Sequence, residues 1–195
     1  MHGLINRALQ YFVTDTYGSD RWEEVVRIAR LDFAEFEAML HYEDALTEQV
    51  IAAIVKTLGV KRAMVLEDIG TYLVTHPNVE ALRRLLRFGG ESFPEFLQSL
   101  DDLADRSRLA VEDLELPELE LDDLGDGAYS LSCRHVHGGF GYVLMGLLRT
   151  MADDYGALAL LDHAFGQEGE EIIDIKLVDA DFSPGRGFDL GAHVA

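Results

Sequence analysis

The chain has 195 residues, 48% of them apolar, so it can build one domain with a substantial core and is too apolar for a disordered chain. Acidic residues outnumber lysine and arginine by 36 to 16, and a surface with a formal net charge of −20 repels the phosphates of nucleic acids and anionic lipids. We therefore expect neither a nucleic acid nor a membrane as partner.

The N-terminal segment MHGLINRALQYFV spaces its apolar residues as a helix does and carries no signal-peptide core or cleavage site. Gly18 ends this predicted helix. The sequence has one cysteine, Cys133, so no intrachain disulfide can form, and no apolar run reaches the length of a membrane span. These features predict a cytoplasmic protein.

Four more helices are predicted before residue 91 from apolar spacing and from their terminal residues. The segment SDRWEEVVRIARL has Asp20 as its expected N-cap, and ALTEQVIAAIVKTLG is closed by Gly59. The segment KRAMVLEDIGTYLVTH stops at Pro77, because proline cannot continue a helix. Asn78 is then the expected N-cap of VEALRRLLRFGG.

A longer helix is predicted over residues 92–110, SFPEFLQSLDDLADRSRLA, where Ser92 and Glu95 form the S-x-x-E capping box. One face of this helix carries large apolar side chains and then, near its middle, Ala104. The pattern raises the question of what fills the space in front of that alanine.

The second part of the chain alternates strand and helix patterns. An acidic connector with an edge strand, VEDLELPELELDDLGDG, precedes the strand AYSLSCRHVH, the helix GFGYVLMGLLRTMADDYG and the two strands ALALLDHAF and EIIDIKLVDADF. We therefore predict an α+β fold with a mostly helical N-terminal part and a small antiparallel sheet with one packed helix. The domain covers residues 1–180, helical over about 1–110 and of mixed helix and sheet over about 117–180, and a tail follows at 181–195.

Motifs for catalysis are missing from the sequence. It contains no phosphate-binding glycine loop, dinucleotide fingerprint or nucleophile elbow, so we predict that the chain is not an enzyme. His135 and His137 lie two apart on a predicted strand, which points both rings to one face, where a metal could bind. The alternative is a pair of surface or partly buried histidines without a metal.

Four segments carry a family resemblance: the opening MHGLINRALQYFVTDTYGSDRWEEV, the helix FLQSLDDLADRSRLA, the strand segment SLSCR and the helix GLLRTMADDYG. Together they resemble the haem nitric oxide/oxygen binding family (H-NOX, also written HNOB), the sensor domain of soluble guanylate cyclases and of many bacterial relatives. In this family the second segment packs beneath the haem, and SLSCR corresponds to a Y-x-S-x-R motif that holds the haem propionates.

The resemblance also assigns site residues. It places Leu100 and Ala104 in the wall of the haem pocket, and Ala104 stands where the family has the histidine that binds the iron. It places Ser130, Ser132 and Arg134 at the propionates, with Ser130 in place of the tyrosine.

These residues leave three possible states of the haem pocket. Haem b could take another axial ligand, with His2, Cys133, His135 and His137 as candidates. It could bind without an axial bond, held by apolar contacts and by Ser132 and Arg134, or it could be absent. The family senses nitric oxide through the iron–histidine bond, and a chain without this histidine lacks the bond that acts as the switch.

The function that the resemblance implies is a stand-alone sensor or ligand-binding domain with degenerate haem ligation, because the sequence ends soon after the sensor fold. The alternative is a haem-free interaction module that docks a signalling partner or binds another apolar ligand. A separate histidine kinase or cyclic-di-GMP enzyme is the partner class that the family implies.

Overall fold

The computed structural model describes residues 1–187, in which helices come first and an antiparallel sheet follows. The helices are α1 (Gly3–Tyr17), α2 (Ser19–Ala29), α3 (Asp44–Leu58), α4 (Arg62–Thr75), α5 (Glu80–Arg87), α6 (Phe93–Gln98), α7 (Leu103–Ala110) and α8 (Phe140–Tyr155). The strands are β1 (Glu118–Gly125), β2 (Ala128–Arg134), β3 (Leu158–Phe165) and β4 (Glu171–Asp179), and short 3₁₀ turns lie at Pro77–Val79 and Gln167–Gly169. The predicted α+β architecture is confirmed.

The predicted tail at 181–195 falls partly on the described chain. Residues 181–187 form neither helix nor strand. The remainder of the tail, residues 188–195, lies outside the described residues. Residues 1–187 contain no helix with both the length and the apolarity needed to cross a bilayer.

The sheet has the strand order β1-β2-β4-β3, with every neighbouring pair antiparallel. Because side chains alternate between the two faces of a strand, one face of this sheet can be buried while the other meets solvent. The buried face presents Tyr129, Leu131 and Cys133 from β2 and Ile173 and Ile175 from β4 to a core shared with α6 and α8. A second core lies among α1 to α4 and includes Phe12, Trp22 and Ile54.

Helices α4 and α8 join the two cores and make the most extensive helix–helix contact of the described chain. Gly70 of α4 and Gly146 of α8 lie at the crossing. A Cβ on Gly70 would overlap the backbone oxygen of Val143, and a Cβ on Gly146 would overlap the backbone oxygen of Glu67. The two backbones therefore touch directly, which only glycine allows at these positions.

Two of the predicted helix caps are wrong. Helix α2 begins at Ser19 with Gly18 as its N-cap, so Asp20 lies in the first turn instead of capping it. Asn78 lies in the short 3₁₀ turn, where its backbone N–H donates to His76 Nδ1 and its side chain donates to Asp15. The predicted ends at Gly59 and before Pro77 are confirmed.

The single helix predicted over residues 92–110 is also wrong, although its capping box at Ser92 and Glu95 is confirmed. The structure ends α6 at Gln98 and starts α7 at Leu103. A contact distant in sequence accompanies the break, since Asp101 Oδ1 accepts the backbone N–H of Leu121 in β1 at 2.8 Å.

Strand β2 is shorter than predicted, because it ends at Arg134, opposite the first residue of β1. His135 and His137 therefore lie in the loop before α8, and their predicted place on a strand is wrong. Gly139 closes this loop with a φ of 110°, a conformation that favours glycine, and its N–H donates to Glu171 Oε1 at 2.7 Å.

Candidate functional site

The segment that resembles the family's haem-ligating helix contains a fully buried leucine and a half-buried alanine. Leu100 lies in the turn between α6 and α7 and has no exposed surface. Ala104 lies in the first turn of α7, where its backbone oxygen accepts a hydrogen bond from Ser107 Oγ at 2.7 Å. No residue from 103 to 109 is buried, so α7 rests on the domain surface. At position 104 the chain offers a methyl group and no donor atom for a metal.

The three residues that resemble the propionate-binding motif share one face of β2, as the alternation of a strand requires. Ser130, Ser132 and Arg134 lie on the face away from the core. Arg134 Nη1 lies 2.9 Å from Glu120 Oε2, and its Nη2 lies 2.7 Å from Glu170 Oε1. The hydrogen bond to Glu120 and the charge of Glu170 raise the pKa of Arg134. Its guanidinium is thus already engaged by two carboxylates of its own chain.

Cys133 points the opposite way, into the sheet core, with 2% of its surface exposed. Burial, aided by the charge of Glu171, raises the pKa of this thiol to about 12. Since a thiolate is the form that binds metals, this side chain is a poor iron ligand at neutral pH.

Four of the seven histidines form two pairs, one at the N-terminus and one in the loop before α8, and we call His2, His41, His135 and His137 the histidine cluster. His2 and His41 form an isolated β-bridge with ring centroids 5.1 Å apart. The rings of His135 and His137 are 5.4 Å apart.

Asp44 links the two pairs of the histidine cluster. Its Oδ1 accepts a hydrogen bond from the Met1 amine at 2.6 Å, and its Oδ2 lies 3.0 Å from His137 Nε2. The Nδ1 atoms of His2 and His135 accept the backbone N–H groups of Leu4 and His137. Within the described residues, no group of three or more His, Cys, Asp or Glu side chains has the geometry of a metal site.

The histidine cluster predicts a pH-dependent stability. Burial is the largest cause that lowers the pKa of His135 from 6.5, and the charges of Glu115 and Asp44 oppose this shift without reversing it. Burial followed by the charge of His41 lowers the pKa of His2 in the same way. The unfolded chain then binds protons that the folded chain does not, so the free energy of unfolding falls as the pH drops through 6.5 towards the lowered values.

We expect urea unfolding between about pH 8 and about pH 5 to show this loss, and His135→Gln to make the profile shallower because one of the two shifted groups is gone. An unchanged slope in His135→Gln would assign the pH dependence to other groups.

Two open depressions lie on the sheet. One, of about 380 Å³, is lined by Arg134, His135, Gln167, Gly169 and Glu170. The other, of about 350 Å³, has apolar side chains from Leu124, Ala128 and Leu160 and carboxylates from Asp162 and Asp174 among its lining residues. Neither is lined by Ala104.

Sequence reasoning missed the contacts that assemble these groups. The histidine cluster depends on contacts between residues about 40 to 95 positions apart, and only the presence of four histidines hinted at it. It also missed a buried ion pair between α5 and α8, in which Arg83 Nε donates to Asp154 Oδ1 at 2.9 Å. An Arg and an Asp on separate helices carry no local signal of such a pair.

Comparison with known proteins gives consistent matches. The family model described as haem-NO-binding matches residues 2–159. Soluble guanylate cyclase 89Db of Drosophila melanogaster is 21% identical over 170 residues, which cover 87% of this chain and 25% of that protein. Soluble guanylate cyclase gcy-35 of Caenorhabditis elegans is 26% identical over 155 residues, covering 78% and 22%. The chain thus spans about a quarter of the length of these relatives.

Solved structures share the fold. The Fe(II) unliganded H-NOX protein from K. algicida superposes with a TM-score of 0.78 at 14% identity, covering 98% of this chain and all of that one. An H-NOX protein from S. oneidensis in the Fe(II)NO ligation state gives a TM-score of 0.75 at 17% identity, covering 92% of this chain and all of that one.

Proposed function

The chain belongs to the haem-NO-binding family, and from that premise we propose that it is a signalling domain that works without a histidine-ligated haem and docks a separate signalling protein. The family consists of haem-binding sensor domains and not of catalytic domains, so the matched residues 2–159 form a sensor domain and not an enzyme. The proposed difference between this member and its family is the loss of the histidine that binds the haem iron.

The observation that carries the proposal is the methyl group of Ala104 at the position that the resemblance assigns to the iron ligand. Helix α7 begins at Leu103, after a turn that the hydrogen bond from Leu121 N–H to Asp101 attaches to β1. That turn therefore determines which way each side chain of α7 points. No histidine occurs between His76 and His135 in the sequence, so no shift of register along this segment supplies one.

The other candidate contacts to haem also support the proposal. Arg134 is held by Glu120 and Glu170, so a haem propionate would have to displace one of two carboxylates already paired with it. The Cys133 thiol stays protonated at neutral pH. His137 faces Asp44 through Nε2. Taken together, these residues do not fit a histidine-ligated haem.

Of the two functions open to a haem-free domain, docking a signalling partner and binding another apolar ligand, we propose docking. A histidine kinase or a cyclic-di-GMP enzyme is the partner class that we propose, on the strength of the family resemblance. A cytoplasmic location is part of the proposal and is supported by the single cysteine. That the domain acts as a separate chain stays a prediction, as do the boundaries 1–180.

The proposal predicts an absorption spectrum. We expect the protein purified after expression with excess haem precursor to show no stoichiometric Soret band, because Ala104 offers no nitrogen at the position that the resemblance assigns to the iron ligand. A stoichiometric band that shifts when nitric oxide is added would overturn the proposal, whichever ligand produced it.

Ala104→His tests the assignment of the position itself. We expect this variant to retain more haem than the wild type, since an iron–nitrogen bond adds to the burial of the apolar macrocycle. The matched control is Asp105→His, which adds the same imidazole at an exposed position of the same helix. Equal haem retention by the two variants would contradict the placement of Ala104 at the ligand position.

A further inference from the structure

The two faces of the sheet differ sharply in what covers them. The inner face packs on α6 and α8, whereas the other, which we call the outer face, is mostly exposed. The strand register assigns the outer face the following residues: Glu118, Glu120 and Asp122 of β1, Ala128, Ser130, Ser132 and Arg134 of β2, Ile172, Asp174 and Lys176 of β4, and Leu160, Asp162 and Ala164 of β3. The outer face thus includes the three motif residues of β2.

Acidic side chains dominate the outer face, with five carboxylates against the two cations Arg134 and Lys176. Both cations are engaged within the chain. Arg134 is paired with Glu120 and Glu170, and Lys176 Nζ donates to the backbone oxygen of Asp126 at 2.7 Å. The outer face therefore keeps a strong negative potential.

One row of the outer face crosses all four strands and reads Asp122, Ser130, Asp174 and Asp162. Asp174 and Asp162 are direct register partners, and like charges directly opposite each other destabilise a sheet. Among the described residues, neither Asp122 nor Asp174 has a hydrogen bond or ion pair to a basic side chain. A cation placed on this row would relieve the repulsion.

An apolar depression adjoins the acidic row. Leu124 and Leu160 line it and are 66% and 62% exposed. Asp162 and Asp174 also line it, as does Lys176, whose Nζ is engaged by the backbone oxygen of Asp126. An apolar side chain can enter this depression while a basic side chain beside it meets the two carboxylates. The outer face thus combines an apolar anchor point with complementary charge.

We propose that the outer face docks a basic amphipathic helix of the signalling partner, an inference that rests on the docking function proposed above. The pitch of a helix is about 5.4 Å, and neighbouring strands are about 4.8 Å apart. Successive turns of a helix lying across the strands therefore face successive strands. Its lysines or arginines pair with the acidic row, and a large apolar residue fills the depression.

Charge selects among possible occupants of the outer face. Nucleic acids and anionic lipids carry the same sign as this face and are repelled by it. A second copy of this chain carries a formal charge of −20 and is repelled as well. A basic protein segment remains as the occupant with complementary charge.

A synthetic helix tests the proposal on the whole purified chain. The probe is a leucine–lysine amphipathic peptide of about 14 residues, four turns long, titrated into the ¹⁵N-labelled protein. We expect chemical-shift changes confined to the four strands β1 to β4, and no such changes with a matched leucine–glutamate peptide. We also expect the affinity to fall steeply as salt is raised. Changes spread evenly over the helices would overturn the proposal.

Charge-matched variants separate this site from general attraction to an acidic protein. Asp162→Asn with Asp174→Asn removes two charges from the acidic row and should weaken binding about tenfold, a factor that corresponds to about 1.4 kcal/mol. The same double variant removes a like-charge pair, so it should fold at least as stably as the wild type. Asp20→Asn with Glu23→Gln makes the same charge change on exposed α2 and should leave the affinity within about twofold. Equal weakening by the two double variants would overturn the proposal.

The peptide titration and the haem spectrum test two separate statements, the docking surface and the haem-free state. Spread or absent shift changes, together with no Soret band, would reject the outer face as the docking surface and leave haem-independent function intact. A nitric-oxide-sensitive Soret band, together with localised shift changes, would reject the haem-free state and leave the docking surface standing.

Discussion

Gly146→Ala is expected to lower the free energy of unfolding by roughly 3 kcal/mol, at the upper end of the usual cost of overpacking. The added Cβ would overlap the backbone oxygen of Glu67, which cannot rotate away as a side chain can. Helix α4 would have to move, and it carries residues of the N-terminal core with it. The gain in helix propensity from glycine to alanine, about 1 kcal/mol, offsets part of this cost. Urea unfolding followed by circular dichroism measures the difference.

Gly138→Ala is the matched control for this prediction. A Cβ at Gly138 meets open space, and its backbone lies outside the left-handed region that favours glycine. We expect a change near zero, or a slight stabilisation of about 0.5 kcal/mol from the stiffer unfolded chain. Similar unfolding midpoints for the Gly138 and Gly146 variants would show that the α4–α8 crossing is not tight.

Asp154→Ala is expected to cost about 3–5 kcal/mol, because it leaves the buried guanidinium of Arg83 with only Glu80, whose side chain is 41% exposed, as counter-ion. Arg83 and Asp154 are 4% and 6% exposed, and Arg83 Nη2 lies 2.7 Å from Asp154 Oδ1. Arg87 lies 3.6 Å from the other carboxylate oxygen, so the loss affects two cations. The unfolding free energy in urea, measured against the wild type, tests this expectation.

Two further variants define the origin of that cost. Asp153→Ala removes an adjacent carboxylate that is exposed, so its effect should stay within about 0.5 kcal/mol. Replacing the pair by Arg83→Met and Asp154→Leu should cost less than Asp154→Ala alone, since the buried guanidinium of Arg83 is then removed together with its carboxylate. A double variant less stable than Asp154→Ala would contradict the explanation by an unpaired charge.

Local chemistry made several helix ends predictable from sequence. Gly59 and Gly156 adopt left-handed conformations that close α3 and α8, and the Ser92–Glu95 box starts α6. Each of these signals acts within a few residues of the helix end, so a linear pattern contains it. The antiparallel sheet was predictable for the same reason, from runs of strand-forming residues separated by turns.

Contacts between distant residues were not predictable. Apolar spacing continues from α6 into α7, yet the helix breaks where Asp101 bonds to Leu121 of β1. Gly70 and Gly146 are interior helix positions whose role depends on the opposing backbone. No sequence pattern records which backbone lies opposite.

The same distinction between local patterns and distant contacts applies to the candidate site. Ser130, Ser132 and Arg134 share one face of β2, which alternation along a strand makes predictable because that property is local. The partner Glu170 of Arg134 lies 36 positions away, beyond any local rule. The family resemblance identified the fold and drew attention to Ala104, whereas the charges around Arg134 required the assembled sheet.

Helix α7 packs on the domain with little buried surface, and this affects how readily it opens in the native state. None of residues 103–109 is fully buried and Leu109 is 90% exposed, whereas α6 buries three apolar side chains in the sheet core. Segments with few buried contacts open locally at far less free energy than global unfolding requires. In hydrogen–deuterium exchange, the amides of α7 should therefore lose protection well before those of α6 and α8. The stretch that holds Ala104 can thus change conformation at a lower cost in free energy than the helices α6 and α8 that pack on the sheet.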